Sequence, residues 1–264
     1  MDVPQSAAAI YSTAADTLDT LPFWHHFGRR TVERLALRPG ARVLDLCCGS
    51  GASALPAAEA VGPTGEVLGV DLTEALLAQA RRKASAQGLR NVRFECSAVE
   101  SLEFPAGSFD AVLSVFGLFF VGDMSALLAR TWRWLAPGGT LAITTWGQDV
   151  LAPGEALFWE AALREDPSLD QTSHASRLDT PEKLAAVFAD AALPAPEIVT
   201  DRWEMPLSSP EAFWPVILGT SSRAALDALT PPQQARVRAE VADALRRLGV
   251  TGTAMDALYA KARR

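Results

Sequence analysis

A chain of 264 residues is long enough for one well-buried α/β domain, or for a domain carrying a substantial insertion. With 49% hydrophobic and 21% charged residues, its composition is that of an ordinary globular protein and excludes a disordered or fibrous one. The net charge of −7, with basic residues in short scattered pairs such as Arg29-Arg30 and Arg246-Arg247, excludes the concentrated basic face that nucleic acid requires.

Residues 1–35 read as an N-terminal helical lid, with Tyr11 and the aromatic segment Leu21-Pro-Phe-Trp-His-His-Phe27. This stretch has no basic region followed by an apolar run, and nowhere does the chain approach the roughly 18 apolar residues that span a bilayer. A soluble cytoplasmic protein without a membrane span is expected. The cysteines fit that expectation. There are three, with Cys47 and Cys48 adjacent and Cys96 far off, so no disulfide framework and no metal site is suggested.

From residue 36 a core begins. Apolar runs bounded by Gly and Pro alternate with helical patterns, which is the signature of successive βα units and a parallel sheet. Strands are expected near Arg42 to Leu46, Glu66 to Val70, Val92 to Cys96, Phe109 to Val115 and Thr140 to Thr145. Helices fill the gaps near Ser50 to Val61, Thr73 to Gln87 and Asp123 to Leu135, and Pro137-Gly138-Gly139 turns the chain into the fifth strand. Ile198 to Met205 reads as a sixth strand. Ala254 to Ala262 reads as a seventh, within a final segment 251–264 that returns to the core of residues 36–206. The residues between, 207–250, form a helical insertion read as a substrate cap. There Thr230-Pro-Pro-Gln233 has capping-box spacing, and Val237, Val241, Leu245 and Leu248 make one apolar stripe. The fold class is α/β, a Rossmann-like seven-stranded, mostly parallel sheet with helices on both faces and a helical cap.

After the first strand comes Asp45-Leu-Cys-Cys-Gly49-Ser-Gly51, followed by a helix start that offers free N–H groups. The same strand, turn and helix serve dinucleotides, but two residues argue otherwise. Position 54 is alanine where the dinucleotide fingerprint has its third glycine, and Asp45 ends the strand where a carboxylate repels pyrophosphate and attracts an ammonium. Asp71 ends the second strand twenty positions after Gly51, where a carboxylate accepts from ribose hydroxyls. The ligand this pattern fits is a nucleoside with a cationic tail.

Residues 40 to 146 resemble the class I S-adenosylmethionine-dependent methyltransferases, particularly the small-molecule branch that includes quinone-biosynthesis enzymes. The further motifs of that family stand as Gly69-Val-Asp-Leu72, Cys96-Ser-Ala-Val-Glu-Ser-Leu-Glu-Phe-Pro105, Ser108-Phe-Asp-Ala-Val112 and Leu135-Ala-Pro-Gly-Gly139. The resemblance implies S-adenosylmethionine as cofactor. It places Asp45, Cys47, Gly49 and Gly51 around the methionine end, Asp71 on the ribose, Leu72 on the adenine face, and Ala98 with Val99 at the adenine edge. It also puts Ser114 and Phe116, at the end of the fourth strand, beside the reacting centre, and Tyr11 over the methionine moiety. Two departures stand out. Cys47 occupies the position of a loop glycine, and Ala98 that of an acidic residue that commonly receives the adenine amino group, which implies adenine held by backbone and packing.

Methyl transfer requires a base only when the acceptor must lose a proton. The sequence has three histidines, and His25 and His26 of the lid are the candidates, with His174 in a polar loop. An amphipathic helix covering the sheet edge explains His25 and His26 equally. Phe23, Trp24, Phe116, Trp146 and Trp214 are candidates for an apolar acceptor pocket, whereas Phe119 and Phe120 read either as substrate-facing or as the start of packing against the next helix. The expected function is methyl transfer to O, N or C of a small, partly apolar metabolite. An S-adenosylmethionine-binding protein or non-methylating enzyme on the same fold is the alternative, and a nicotinamide-dependent dehydrogenase is disfavoured by Ala54 and Asp45. No pattern in the sequence specifies an oligomeric state or the acceptor itself.

Overall fold

A computed structural model describes residues 11–12 and 20–264, so most of the segment 1–20 of the expected lid lies outside the described residues. The strands are β1 (Arg42–Leu46), β2 (Glu66–Asp71), β3 (Val92–Cys96), β4 (Phe109–Val115), β5 (Leu135–Trp146), β6 (Glu197–Pro206) and β7 (Gly252–Arg263). They form one sheet in the order β3-β2-β1-β4-β5-β7-β6. The pairs β1–β2, β1–β4, β2–β3 and β4–β5 are parallel, and β7 runs antiparallel to both β5 and β6. This is the Rossmann-like architecture that the alternating pattern predicts. Val43, Leu44, Asp45 and Leu46 are all buried, because helices cover both faces of the sheet.

The helices are α1 (Pro22–Leu35), α2 (Ala54–Val61), α3 (Glu74–Ala86), α4 (Met124–Trp134), α5 (Gly154–Glu165), α6 (Pro181–Asp190), α7 (Phe213–Leu218), α8 (Arg223–Ala228) and α9 (Pro231–Arg247). Proline at its first position starts α1, and Phe23, Phe27, Thr31 and Leu35 recur at helical spacing to bury one face. Burying each phenylalanine contributes about 1.5–3 kcal/mol. Thr31 Oγ1 meets Thr144 Oγ1 on β5 at 2.7 Å, and Arg30 and Arg34 reach Asp201 of β6 at 3.3 and 3.2 Å. The helix is thereby tied across the carboxyl half of the sheet. Gly28 sets the depth of that docking: a Cβ there would lie 2.2 Å from the Ala52 carbonyl oxygen.

Three expectations change in detail. The helix after β1 begins at Ala54 rather than Ser50, because Gly49 and Gly51 adopt left-handed φ of +53° and +87° and keep residues 47–53 a loop. Pro137-Gly-Gly139 lies inside β5, whose register shifts opposite Phe109 and Ala111, rather than preceding the strand. The chain end holds that irregular segment: Gly138 N–H donates to the Arg264 carbonyl, and the Arg264 side chain donates to the carbonyls of Trp132, Arg133 and Leu135. In α9, Val237, Val241 and Leu245 are buried, but Leu248 is 63% exposed because the helix has ended at Arg247 and the chain turns away.

Between β6 and β7 lie α7, α8 and α9, and α9 packs on α5. Gln233 joins them. Its Oε1 accepts from Thr230 N–H at 2.9 Å, and its Nε2 donates to the Glu165 carbonyl at the end of α5 at 3.1 Å.

Candidate active site

A cavity of about 130 Å³ opens at the carboxyl ends of β1, β2 and β4. The strand order reverses there between β1 and β4, the crevice where open α/β sheets bind ligands. Its floor is the loop after β1, contributing Cys47, Cys48, Gly49, Ser50, Ala52 and Ser53. Asp71, Leu72, Thr73 and Leu76 form one wall, Val99 and Glu100 the far end, and Val115, Phe116, Gly117, Phe120 and Val121 the other wall. Tyr11 and Trp24 close it from the lid side.

The loop is held open by its backbone. Cys47 sits at φ +58°, a left-handed conformation that costs a non-glycine residue about 1–2 kcal/mol. Behind it, Cys48 N–H donates to the Val70 carbonyl at 3.0 Å. Lys83 Nζ reaches Ser50 Oγ at 3.1 Å. Gly117 presses on the loop from β4, since a Cβ there would lie 2.3 Å from the Cys47 Cβ.

Asp71 organises the wall. One carboxylate oxygen accepts from Gly49 N–H and the other from Thr73 N–H, both at 2.8 Å. The Thr73 hydroxyl and the Leu72 N–H also lie against this carboxylate, and each carboxylate oxygen can accept more than one hydrogen bond. Burial raises the Asp71 pKa, with the Thr73 and Gly49 N–H groups opposing. Leu72 is 39% exposed and gives this wall an apolar rim.

Asp45 has a different place from the expected one. It is fully buried beneath the loop rather than on the cavity wall, with Oδ2 accepting from Ser53 Oγ at 2.6 Å and Oδ1 without a partner among the described residues. Desolvation pushes its pKa up to about 7, opposed by the Ser53 hydrogen bond. Desolvation likewise raises the Cys47 and Cys48 thiols and the Tyr11 phenol, so all three are neutral at pH 7. Gly51 also lies off the wall and serves the turn, where a Cβ would meet Leu55 at 3.2 Å. Ser114 is buried behind the wall. Ala98 does not line the cavity, whereas Val99 and Glu100 do. Glu100 is the acidic group at this end, carried two positions beyond the expected one by a single 3-10 turn, Val99–Ser101. Arg130 holds that turn by donating to the carbonyls of Glu100 and Val99, at 2.7 and 3.2 Å.

Of the proposed acceptor-pocket aromatics, Trp24 and Phe116 face the cavity. Phe116 adopts φ +55° and lies flat on Trp146, ring centres 3.6 Å apart and planes 9° from parallel. Trp24 meets both rings edge-on, at 5.7 and 5.8 Å. Trp146 and Phe23 therefore back the wall as core instead of forming it, Phe23 being fully buried. Trp214 sits apart on α7 under the Arg238 guanidinium at 5.7 Å. No residue of 207–250 lines the cavity. Sequence reading missed Thr73, Leu76 and Val121 because their roles come from the start of α3 and the turn after β4 meeting the loop in space, not from residue type.

Neither candidate base reaches the cavity. His26 is stacked on Trp203, centres 4.1 Å apart and 11° from parallel, and its pKa is lowered by desolvation and by Arg30. Successive positions on α1 point about 100° apart, so Trp24 turned inward leaves His25 on the exposed face. His174 meets the edge of Phe120 at 5.7 Å from outside the cavity.

Residues 43–139 match the family profile described as a methyltransferase domain. Aklanonic acid methyltransferase DauC of Streptomyces sp. (strain C5) is 38% identical over 137 residues, 51% of this chain and 62% of that protein. Nocamycin O-methyltransferase of Saccharothrix syringae is 32% identical over 180 residues, 68% of this chain and 63% of that protein. Demethylmenaquinone methyltransferase of Geobacillus kaustophilus is 38% identical over 128 residues, 48% and 55% respectively. The match thus spans less than two thirds of each relative's length. Among solved structures, the YcgJ protein of Bacillus subtilis superposes with a TM-score of 0.58 at 22% identity, covering 91% of this chain and 98% of that one. The [4+2]-cyclase SpnF superposes with a TM-score of 0.55 at 24% identity, covering 91% and 80%. At these identities the structures establish the fold.

Proposed function

Residues 43–139 form a methyltransferase domain, and we propose that the chain transfers a methyl group from S-adenosylmethionine to a small, flat, largely apolar acceptor. The observation that carries this reading is the cavity at the ends of β1, β2 and β4, with the left-handed loop as floor and the buried Asp71 carboxylate as wall. In it Asp71 takes the ribose hydroxyls, Leu72 and Val99 flank the adenine, and Glu100 faces its amino edge. The loop from Cys47 to Ser53 carries the methionine end, with Asp45 beneath contributing negative charge when ionised. When bound, S-adenosylmethionine supplies a methyl group already activated by its sulfonium.

What the chain adds is alignment and exclusion of water. Trp24, Phe116 and Phe120 give the acceptor side an apolar aromatic surface. Its titratable wall groups are the neutral Tyr11, Cys47 and Cys48 together with Asp71 and Glu100 on the nucleoside side. No histidine stands among the described lining residues, so the acceptor is one that ionises readily by itself, such as a phenol, an enol or a carboxylic acid. The names of the aklanonic acid and demethylmenaquinone relatives, an acid and a quinone, agree with such an acceptor.

Residues 1–35 act in this reading as the lid. Segment 207–250 buttresses it: a Cβ on Gly219 would lie 2.2 Å from the Leu21 side chain at the start of α1. No helix among the described residues is long and apolar enough to cross a membrane, and the unpaired cysteines fit a reducing cytoplasm. Incubation with methyl-labelled S-adenosylmethionine and a panel of naphthoquinols, anthraquinone acids and tetronic or tetramic acids tests the reading. Label in the acceptor with equimolar S-adenosylhomocysteine is expected. Binding of the cofactor without turnover on any acceptor would favour the second reading, a non-methylating enzyme, which the fold shared with a cyclase keeps open.

A further inference from the structure

We propose that Arg177 is a positioning residue for the cofactor cavity: it grips the turn after β4 through three backbone carbonyls and so holds Phe120 against Tyr11. The inference rests on the methyltransferase reading of that cavity.

The wall after β4 is thin. It consists of one 3-10 turn, Leu118–Phe120, followed by Val121 and the exposed Gly122. Two backbone hydrogen bonds close the turn, from Phe120 N–H to the Gly117 carbonyl and from Val121 N–H to the Leu118 carbonyl. The carbonyls of Phe119, Val121 and Gly122 accept instead from Arg177, which takes all three. Its Nη1 donates to Phe119 and Val121, each at 2.8 Å, and its Nη2 to Gly122 at 3.1 Å. A guanidinium does this because its planar fork presents several donors in fixed directions, whereas an ammonium is a single mobile point.

Arg177 is itself anchored. It ends the turn His174–Arg177, Leu178 beside it is fully buried, and Thr180 two residues on caps α6. Lys183 Nζ donates to the Ser176 carbonyl and to Asp179, both at 2.7 Å. The cavity wall is therefore braced from α6, more than fifty positions away in sequence. The brace reaches the ligand side through Phe120, which meets Tyr11 edge-on at 5.7 Å and 77°, while His174 backs the ring from outside. Arg177 does not line the cavity. Its effect passes through the turn.

Calorimetric titration of the full chain with S-adenosylhomocysteine separates this inference from the reading beneath it. A wild-type protein that does not bind removes the methyltransferase proposal itself. Where wild type binds, Arg177→Met is expected to weaken binding roughly tenfold and Arg177→Lys by more than threefold, because lysine cannot span three carbonyls. Phe120→Leu is expected to weaken binding too, and adding it to Arg177→Met should cost little more, since both act through one contact. Binding by Arg177→Lys and Arg177→Met within about twofold of wild type, or losses that multiply in the double variant, would overturn the proposal. Should Arg177→Met fail to fold, the lysine variant and its combination with Phe120→Leu carry the comparison.

Discussion

At Gly117 a side chain has no room. A Cβ would stand 2.3 Å from that of Cys47, so Gly117→Ala must push the cofactor loop off its left-handed backbone. Overpacking of this kind costs about 1–3 kcal/mol. The expected outcome is weaker S-adenosylhomocysteine binding and a lower urea midpoint. Cys47→Gly in the same chain should restore both, because it removes the opposing Cβ and suits φ +58°. Asp45 yields a pH prediction. Its carboxyl is raised by burial from the ordinary value of 3.8 to about 7, so the native state holds a proton that the unfolded chain has released between those values. Stability therefore falls as pH rises from about 4 to about 7, by on the order of a few kcal/mol, and is flat above. Asp45→Asn should remove that part of the slope, read as urea unfolding free energies at pH 5 and pH 8. An unchanged slope would mean that Asp45 titrates near its ordinary value.

Elements are held to one another here by side chains that satisfy helix ends. Gln233 bonds the start of α9 and also the last carbonyl of α5, so one residue caps one helix and splices it to a second. Gln233→Ala should cost about 1–2 kcal/mol in urea unfolding, the sum expected of a lost cap and an orphaned carbonyl. Gln233→Glu keeps the acceptor facing Thr230 and loses the donation to Glu165, so it should fall between. Cofactor affinity should stay unchanged in both, because no residue of 207–250 lines the cavity. A parallel loss of affinity would instead place the insertion in the binding machinery.

For the molecule as a whole, ligand and fold stability are linked. S-adenosylhomocysteine at a hundred times its dissociation constant should stabilise the native state by about 2.7 kcal/mol. For a chain of this size that raises the melting temperature by roughly 5–10 °C. NAD at the same concentration should leave it unmoved, and a shift with NAD would revive the dehydrogenase reading. The sequence by itself determined the sheet, because strands covered on both faces must be apolar throughout and glycine and proline mark where they end. It determined the donor-side pattern as well, since Asp71 and the glycine loop are fixed by their spacing along a single βα unit. The tertiary structure decided which of the flagged residues meet. His25 and His26 lie on a helix whose rotation is set by Phe23 and Phe27 entering the core, and that rotation turns Trp24 inward and His26 onto Trp203. Trp146 lost the cavity to Phe116, which stacks over it. Glu100 gained it through one 3-10 turn. Arg177 carried no sequence signal at all, because its partners are backbone carbonyls, which every residue has, and only the packing of the turn His174–Arg177 against the turn Leu118–Phe120 brings it to them.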